Sequence, residues 1–211
     1  MSMSVEPQSW ARRKLVAAAR VSAGALGPAL PPALFLTDPG RLADPARVAA
    51  GLPAGFGMVY RHFGAADRVA VASQLARICR RRGVALLIAA DPALAMRVNA
   101  DGVHWPFRLR QEARQWQGRF ALQTVSAHSG REARAAAALP VDAVLLSAVF
   151  ASNSPSAGAA IGAVRFRDLV HRLGMPVYAL GGVTADNAGW IAQSAGFAAV
   201  EGMRAFEKAG A

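Results

Sequence analysis

Four short stretches carry groups whose types and spacing could do chemistry. In 125-VSAHS-129, His128 stands between serines. Imidazole is the side chain that ordinarily titrates near neutrality, so His128 could act as a general acid or base. A satisfied loop histidine would produce the same pattern. In 149-VFASNSPSAG-158, Ser152 and Ser154 offer hydroxyl donors in a run without charge, which suits a loop closing over an anion held mainly by backbone donors. The glycines of 181-GGV-183 and 201-EGM-203 let backbone N–H groups approach an anion closely, so Gly181, Gly182, Gly202 and the Met203 backbone form a candidate phosphate cradle. A tight turn accounts for a glycine pair equally well. Arg61 ends the otherwise apolar run 57-GMVYR-61 and reads as an anion ligand in preference to a surface ion pair. His104 reads as a packing or orienting residue, and His171 as a solvent-facing helix residue.

These groups need a scaffold that brings them together. Short apolar runs fall at 33-ALFLT-37, 57-GMVYR-61, 84-VALLIA-89, 101-DGVHW-105, 120-FALQTVS-126, 141-VDAVLLS-147, 176-PVYALG-181 and 197-FAAVEG-202. Between them lie helical stretches at 67–82, 92–99, 130–138, 163–173 and 184–195, the last opening on Thr184 as a capping hydroxyl. Eight strands alternating with helices predict an α/β protein, a single (β/α)₈ barrel over residues 31–211, with residues 1–30 as an N-terminal helical extension. An open doubly wound sheet fits the alternation nearly as well; glycines after the seventh and eighth strands favour the barrel. Chemistry in such a barrel gathers on the loops after the strand C-termini. That mouth would collect Thr37, Asp38, Arg61, His62, Asp91, His104, Ser126, His128, Ser152, Ser154, Gly181, Gly182, Gly202, Met203 and Arg204.

Composition narrows the partners. The chain has 211 residues, 54% hydrophobic, and a net charge of +11, enough to bury one substantial core and to favour an anionic partner. No run approaches the roughly 18 uninterrupted apolar residues of a membrane span. Arg12, Arg13 and Lys14 before 15-LVAAARVSAGALG-27 imitate a signal peptide, but Arg20 interrupts the apolar stretch and a helix explains the pattern. Cys79 is the single cysteine, which excludes an internal disulfide and a multi-cysteine metal site and suits a reducing cytoplasm. Arg77, Arg80, Arg81 and Arg82 crowd a helix end before Gly83, where cations complement the helix dipole. Aromatic residues do not interleave with arginines, so no nucleic-acid platform is expected.

The order of motifs resembles the thiamine phosphate synthase and thiazole tautomerase family of small (β/α)₈ barrels. The resemblance runs from about Leu34 to Phe206 and rests on 34-LFLTD-38, 101-DGVH-104, 125-VSAHS-129, 149-VFASNS-154, 176-PVYALGGVTADN-187 and 195-AGFAAVEGM-203. It implies a thiazole phosphate held by Ser152, Ser154, Gly181, Gly182 and the Gly202–Met203 backbone, with Ser126 as a further substrate-binding residue. For a synthase it also implies a pyrimidine pyrophosphate whose leaving group is neutralised by Mg²⁺. That half is damaged here. Phe63 stands at the lysine that follows Arg61 by two, Ala89 and Ala90 at an asparagine–aspartate pair, a position near Leu109 at the second metal aspartate, and Pro155 at a further lysine. Asp91 lies one position from the metal aspartate and could enter through a bulge; Glu201 or Glu112 could substitute.

The tautomerase branch requires no metal, and the resemblance places its proton-transferring histidine at His128; Pro106 also matches that branch. The expected protein is therefore a cytoplasmic barrel taking a phosphorylated small molecule, with proton transfer at His128, Arg61 meeting a carboxylate or second anion, and no cofactor. Mg²⁺ enters only if synthase activity is retained. The rivals are a divergent Mg²⁺-dependent synthase and a non-catalytic barrel binding a thiamine precursor. Neither a nucleic-acid nor a membrane partner is expected, and a homo-oligomer is left open. Trp105, Pro106 and Phe107 either narrow the mouth or pack in the barrel.

Overall fold

The computed structural model describes residues 5–152 and 158–208. Eight parallel strands close into a barrel in sequence order: β1 (Ala33–Leu36), β2 (Gly57–Tyr60), β3 (Ala85–Ala89), β4 (Gly102–Trp105), β5 (Leu122–Ala127), β6 (Ala143–Leu146), β7 (Val177–Ala179) and β8 (Gly196–Ala199). Successive side chains on a strand point to opposite faces, and the apolar residues sort accordingly. Leu34, Leu36, Val59, Leu87, Ala143, Leu145, Tyr178 and Ala198 fill the interior. Phe35, Met58, Ile88, Trp105, Val144 and Phe197 face outward into the layer beneath the helices.

That outer layer contains α1 (Val5–Leu26), α2 (Pro45–Ala49), α3 (Arg68–Arg82), α4 (Pro92–Val98), α5 (Gly130–Ala137) and α6 (Ala163–Leu173). Local signals fix several ends. Asp44, Asp91 and Ser129 accept hydrogen bonds from backbone N–H groups at the starts of α2, α4 and α5. Gly83 ends α3 at a left-handed φ of 64°, behind Arg80, Arg81 and Arg82. Segments 107–114, 188–190 and 201–206 are 3₁₀ helices.

The helix expected over 184–195 is the clear departure. Asn187 accepts from the Thr184 N–H at 2.9 Å and donates to the Gly182 carbonyl at 2.9 Å. Its side chain ties the segment into a turn, and only Ala188–Trp190 is helical, in 3₁₀ form. Helix α1 packs against β8 and both of the final 3₁₀ helices. Leu15, Ala18 and Ala19 bury there beside Phe197, Ile191 and Phe206. At its end Leu26 turns into the barrel interior. The Tyr178 hydroxyl donates to the Pro31 carbonyl at 2.6 Å, so the floor of the barrel is closed and the opposite mouth is open. Among the described residues no helix is long and apolar enough to cross a membrane.

Candidate active site

An open cavity of about 520 Å³ lies at the strand C-termini. Its polar groups follow from the two-residue period. Interior parity on β5 carries Thr124 and Ser126 inward and continues to His128; on β6 it continues from Leu145 to Ser147; on β2 it continues from Val59 to Arg61. His128 and Ser147 thereby meet, with His128 Nδ1 3.0 Å from Ser147 Oγ. The His128 backbone N–H donates to Glu132 Oε2 at 2.8 Å, and Ser129 caps the same turn. The imidazole is thus fixed at the head of α5 while its ring stays exposed to the cavity.

The glycine side of the cavity is built from backbone. Gly181 and Gly182 have φ of 88° and 64°, and a Cβ at Gly182 would run into the Ala151 carbonyl oxygen. Only glycine therefore allows the loops after β6 and β7 to approach this closely. A Cβ at Gly202 would lie 2.7 Å from the Val183 carbonyl oxygen. None of the N–H groups of Gly181, Gly182, Val183 and Gly202 donates to another described residue, and all four residues line the cavity. Backbone N–H groups left without a protein acceptor are what an oxyanion needs. Ser152 also lines this side; Ser154 lies outside the described residues.

The rim over β1 and β2 is cationic. Arg41 donates to Asp38 Oδ2 from Nε at 3.0 Å and from Nη2 at 2.7 Å, and Arg61 Nη2 lies 3.6 Å from the same oxygen. Arg61 Nε donates to the Thr37 carbonyl at 3.0 Å. Burial raises the Asp38 pKa, but the Arg41 hydrogen bond and charge and the Gly40 N–H outweigh it, so the carboxyl sits below its usual range. Two guanidinium groups share one carboxylate, leaving a net positive rim. Burial pulls the Arg61 pKa down, with Asp38 opposing.

His104 lies inside the barrel with Nδ1 2.8 Å from Thr124 Oγ1 and Nε2 2.7 Å from Ser126 Oγ. Burial, with repulsion from Arg61, drives its pKa down to about 3.

Several residues expected at the mouth lie elsewhere. His62 has outward parity and is buried against Tyr60, with ring centroids 4.9 Å apart. Met203 is fully buried in the outer layer, and its N–H donates to the Val200 carbonyl at 3.3 Å. Its backbone is therefore already used, and Glu201 and Gly202 line the cavity in its place. Trp105 faces outward, donating from Nε1 to Gln123 Oε1 at 2.9 Å, and Phe107 lies under Arg110. Of these three aromatic-loop residues, Pro106 lines the cavity, as does Phe63 from the loop after β2. Sequence reasoning missed Arg41 and Ser147. The Asp38–Arg41 spacing and the serine closing 141-VDAVLLS-147 were the available signals.

Mg²⁺ takes oxygen ligands including one or two carboxylates beside substrate phosphates, and the acidic residues near the mouth are few. Asp91 is outside the cavity lining, with Oδ1 accepting from the Leu94 N–H at 2.9 Å and Oδ2 paired with Arg68 at 2.9 Å. Asp38 is held by Arg41 and Gly40. Glu201 is the one carboxylate among the described lining residues, and no group of three or more His, Cys, Asp or Glu is placed to hold a metal among the described residues.

Fold and cavity together define a small (β/α)₈ barrel whose site is built from strand-end loops. Residues 34–206 match the sequence model of the thiamine monophosphate synthase family. The chain belongs to that family. It is 30% identical over 167 residues to a thiamine-phosphate synthase of Methylococcus capsulatus, covering 75% of each chain. With the synthase of Geobacillus thermodenitrificans it shares 34% identity over 125 residues, 57% of this chain and 56% of that one. The match to a thiamine biosynthesis bifunctional protein of Geobacter sulfurreducens spans 25% of that protein. The chain thus spans about half or less of several curated relatives. Among solved structures, a thiamine phosphate pyrophosphorylase from Pyrococcus furiosus superposes with a TM-score of 0.66 at 22% identity, covering 83% of this chain and 91% of that one. That likeness concerns the fold.

Proposed function

We propose that this barrel binds a thiazole phosphate carboxylate of thiamine biosynthesis and catalyses a metal-independent proton shift that gives the aromatic isomer. The observation that carries the reading is His128, held beside Ser147 at 3.0 Å in a cavity also lined by Gly181, Gly182, Val183 and Gly202, whose N–H groups bond no described residue. The phosphate would sit on Gly181, Gly182, Val183 and Gly202, assisted by Ser152 and Ser154. Arg61 and Arg41 would meet the carboxylate. His128 takes a proton from a ring carbon and returns one elsewhere on the conjugated system, so atoms and electrons balance without an oxidant or a co-substrate. Ser147 steers the imidazole, and the held phosphate fixes the ring in reach.

A cytoplasmic setting and Mg²⁺ independence belong to the same proposal. Its test is turnover of the non-aromatic thiazole phosphate carboxylate in D₂O with EDTA present, followed by proton NMR. Accelerated isomerisation with solvent deuterium entering the product supports the reading, provided His128→Asn abolishes the acceleration. Acceleration that persists in His128→Asn removes His128 from the role.

A further inference from the structure

Inside the barrel, two hydroxyl groups share one imidazole: Thr124 Oγ1 at Nδ1 and Ser126 Oγ at Nε2 of His104. We infer that His104 is a positioning residue that holds the Ser126 hydroxyl as a hydrogen-bond donor facing the cavity. His104 is almost wholly buried, and the Arg61 guanidinium repels a second cation, so the ring is neutral through the physiological range. Thr124 and Ser126, which face it from β5, carry no charge. A neutral imidazole has one N–H and one lone pair. One hydroxyl must therefore donate into the ring, and the other must accept from it.

Burial decides which. Thr124 is fully buried, and its hydroxyl makes no hydrogen bond among the described residues other than the one to Nδ1. If Nδ1 carried the proton, the Thr124 O–H would have no acceptor. Orphaned buried donors are rarer and costlier than under-used acceptor oxygens. The Thr124 hydroxyl thus donates to Nδ1, and the ring proton resides on Nε2. Nε2–H then donates to Ser126 Oγ. Ser126 is only partly buried and lines the cavity, so its own O–H is free to donate to whatever the cavity holds.

The ligand atom against β5 must consequently be an acceptor: a carboxylate or carbonyl oxygen, or a ring nitrogen. In a proton shift, negative charge builds on the conjugated system as the C–H proton leaves, and a preset donor lowers the energy of that charge. This last step rests on the proposed function. The tautomer rests on the barrel interior alone.

The test is long-range ¹H–¹⁵N NMR of the full chain labelled with ¹⁵N-histidine, with His104→Gln assigning the resonances. The expected result is a neutral Nε2–H ring from pH 7.5 to 5. A proton on Nδ1, or titration of His104 within that range, overturns the inference. Kinetics give a second reading. Ser126→Ala should lower kcat on the order of tenfold to a hundredfold with KM within about threefold. His104→Leu should reproduce that loss, and His104→Gln, which retains a donor, should recover part of it. Full activity in both Ser126→Ala and His104→Leu contradicts the role. If the wild-type chain shows no isomerisation, thiazole phosphate carboxylate serves as a binding probe: a perturbed His104 Nε2 resonance on saturation, lost in Ser126→Ala, upholds the donor, and an unperturbed one overturns it.

Discussion

His128 Nδ1 and Ser147 Oγ lie 3.0 Å apart, joining the ends of β5 and β6 at the cavity edge. The contact orients a ring that would otherwise swing freely in an exposed position, and it gives the proposed proton transfer a defined geometry. Removing the imidazole with His128→Asn should reduce turnover about 10²- to 10⁴-fold, the usual worth of a positioned acid–base group. Ligand affinity, measured by calorimetry, should change only a few-fold. Ser147→Ala should cost about tenfold or less, because the ring remains.

The glycine side should respond to bulk rather than to charge. Gly182→Ala must leave a left-handed φ or move the Ala151 carbonyl. Affinity for phosphorylated ligands should fall more than about tenfold, with a smaller effect on an unphosphorylated analogue. Equal losses for both ligands would place the phosphate elsewhere.

Arg41 should read the carboxylate. Arg41→Met should weaken binding of the thiazole phosphate carboxylate by roughly fivefold to a hundredfold, the range of a partly screened charged hydrogen bond. Binding of the thiazole phosphate without its carboxyl group should change little. Comparison of the two ligands by calorimetry separates recognition from general loss of fold.

Stability should fall on the acid side. The folded His104 pKa is depressed from 6.5 to about 3 by burial first and Arg61 second, and burial also lowers that of His62. Between those values the unfolded chain binds more protons than the folded one, so stability is present above about 6.5 and is lost as the pH falls toward 3. Urea midpoints should therefore drop from pH 7 to pH 4, and His104→Gln should flatten that slope, whatever it does to the midpoint at pH 7.

Helix α1 should behave as part of the barrel. Leu15 is fully buried in the shared core, and Leu15→Ala should cost ~2–5 kcal/mol in a single cooperative transition. A separate early transition, or no loss, would detach the helix from the core.

Much of this was legible in sequence because a parallel barrel strand announces itself as a short apolar run between turn signals. All eight expected strands are present to within three residues at either end, and 163–173 is helical as read. The site was legible wherever a single residue type dictated backbone, as at Gly181 and Gly182. It was less so where direction mattered. Proximity to strand ends alone admits His62 to the mouth; the period of two, counted from Val59, sends Arg61 inward and His62 outward. Asp91 looked available, yet a residue before Pro92 at the head of α4 is well suited to capping, and its other oxygen found Arg68. Turn chemistry at Asn187 overrode the helical pattern of 184–195 through side-chain bonds that periodicity does not register. Arg41 lies five residues past the end of β1, and its place depends on folding back to Asp38.

A metal-independent proton shift is tested most directly by one incubation of the protein with the non-aromatic thiazole phosphate carboxylate and the pyrimidine pyrophosphate, with either Mg²⁺ or EDTA, resolving products by mass and chromatography against a protein-free control. The aromatic isomer should form faster than in the control and at equal rates under both conditions, with no thiamine phosphate. Thiamine phosphate formed only with Mg²⁺ would contradict it and make the chain a synthase with relocated metal ligands.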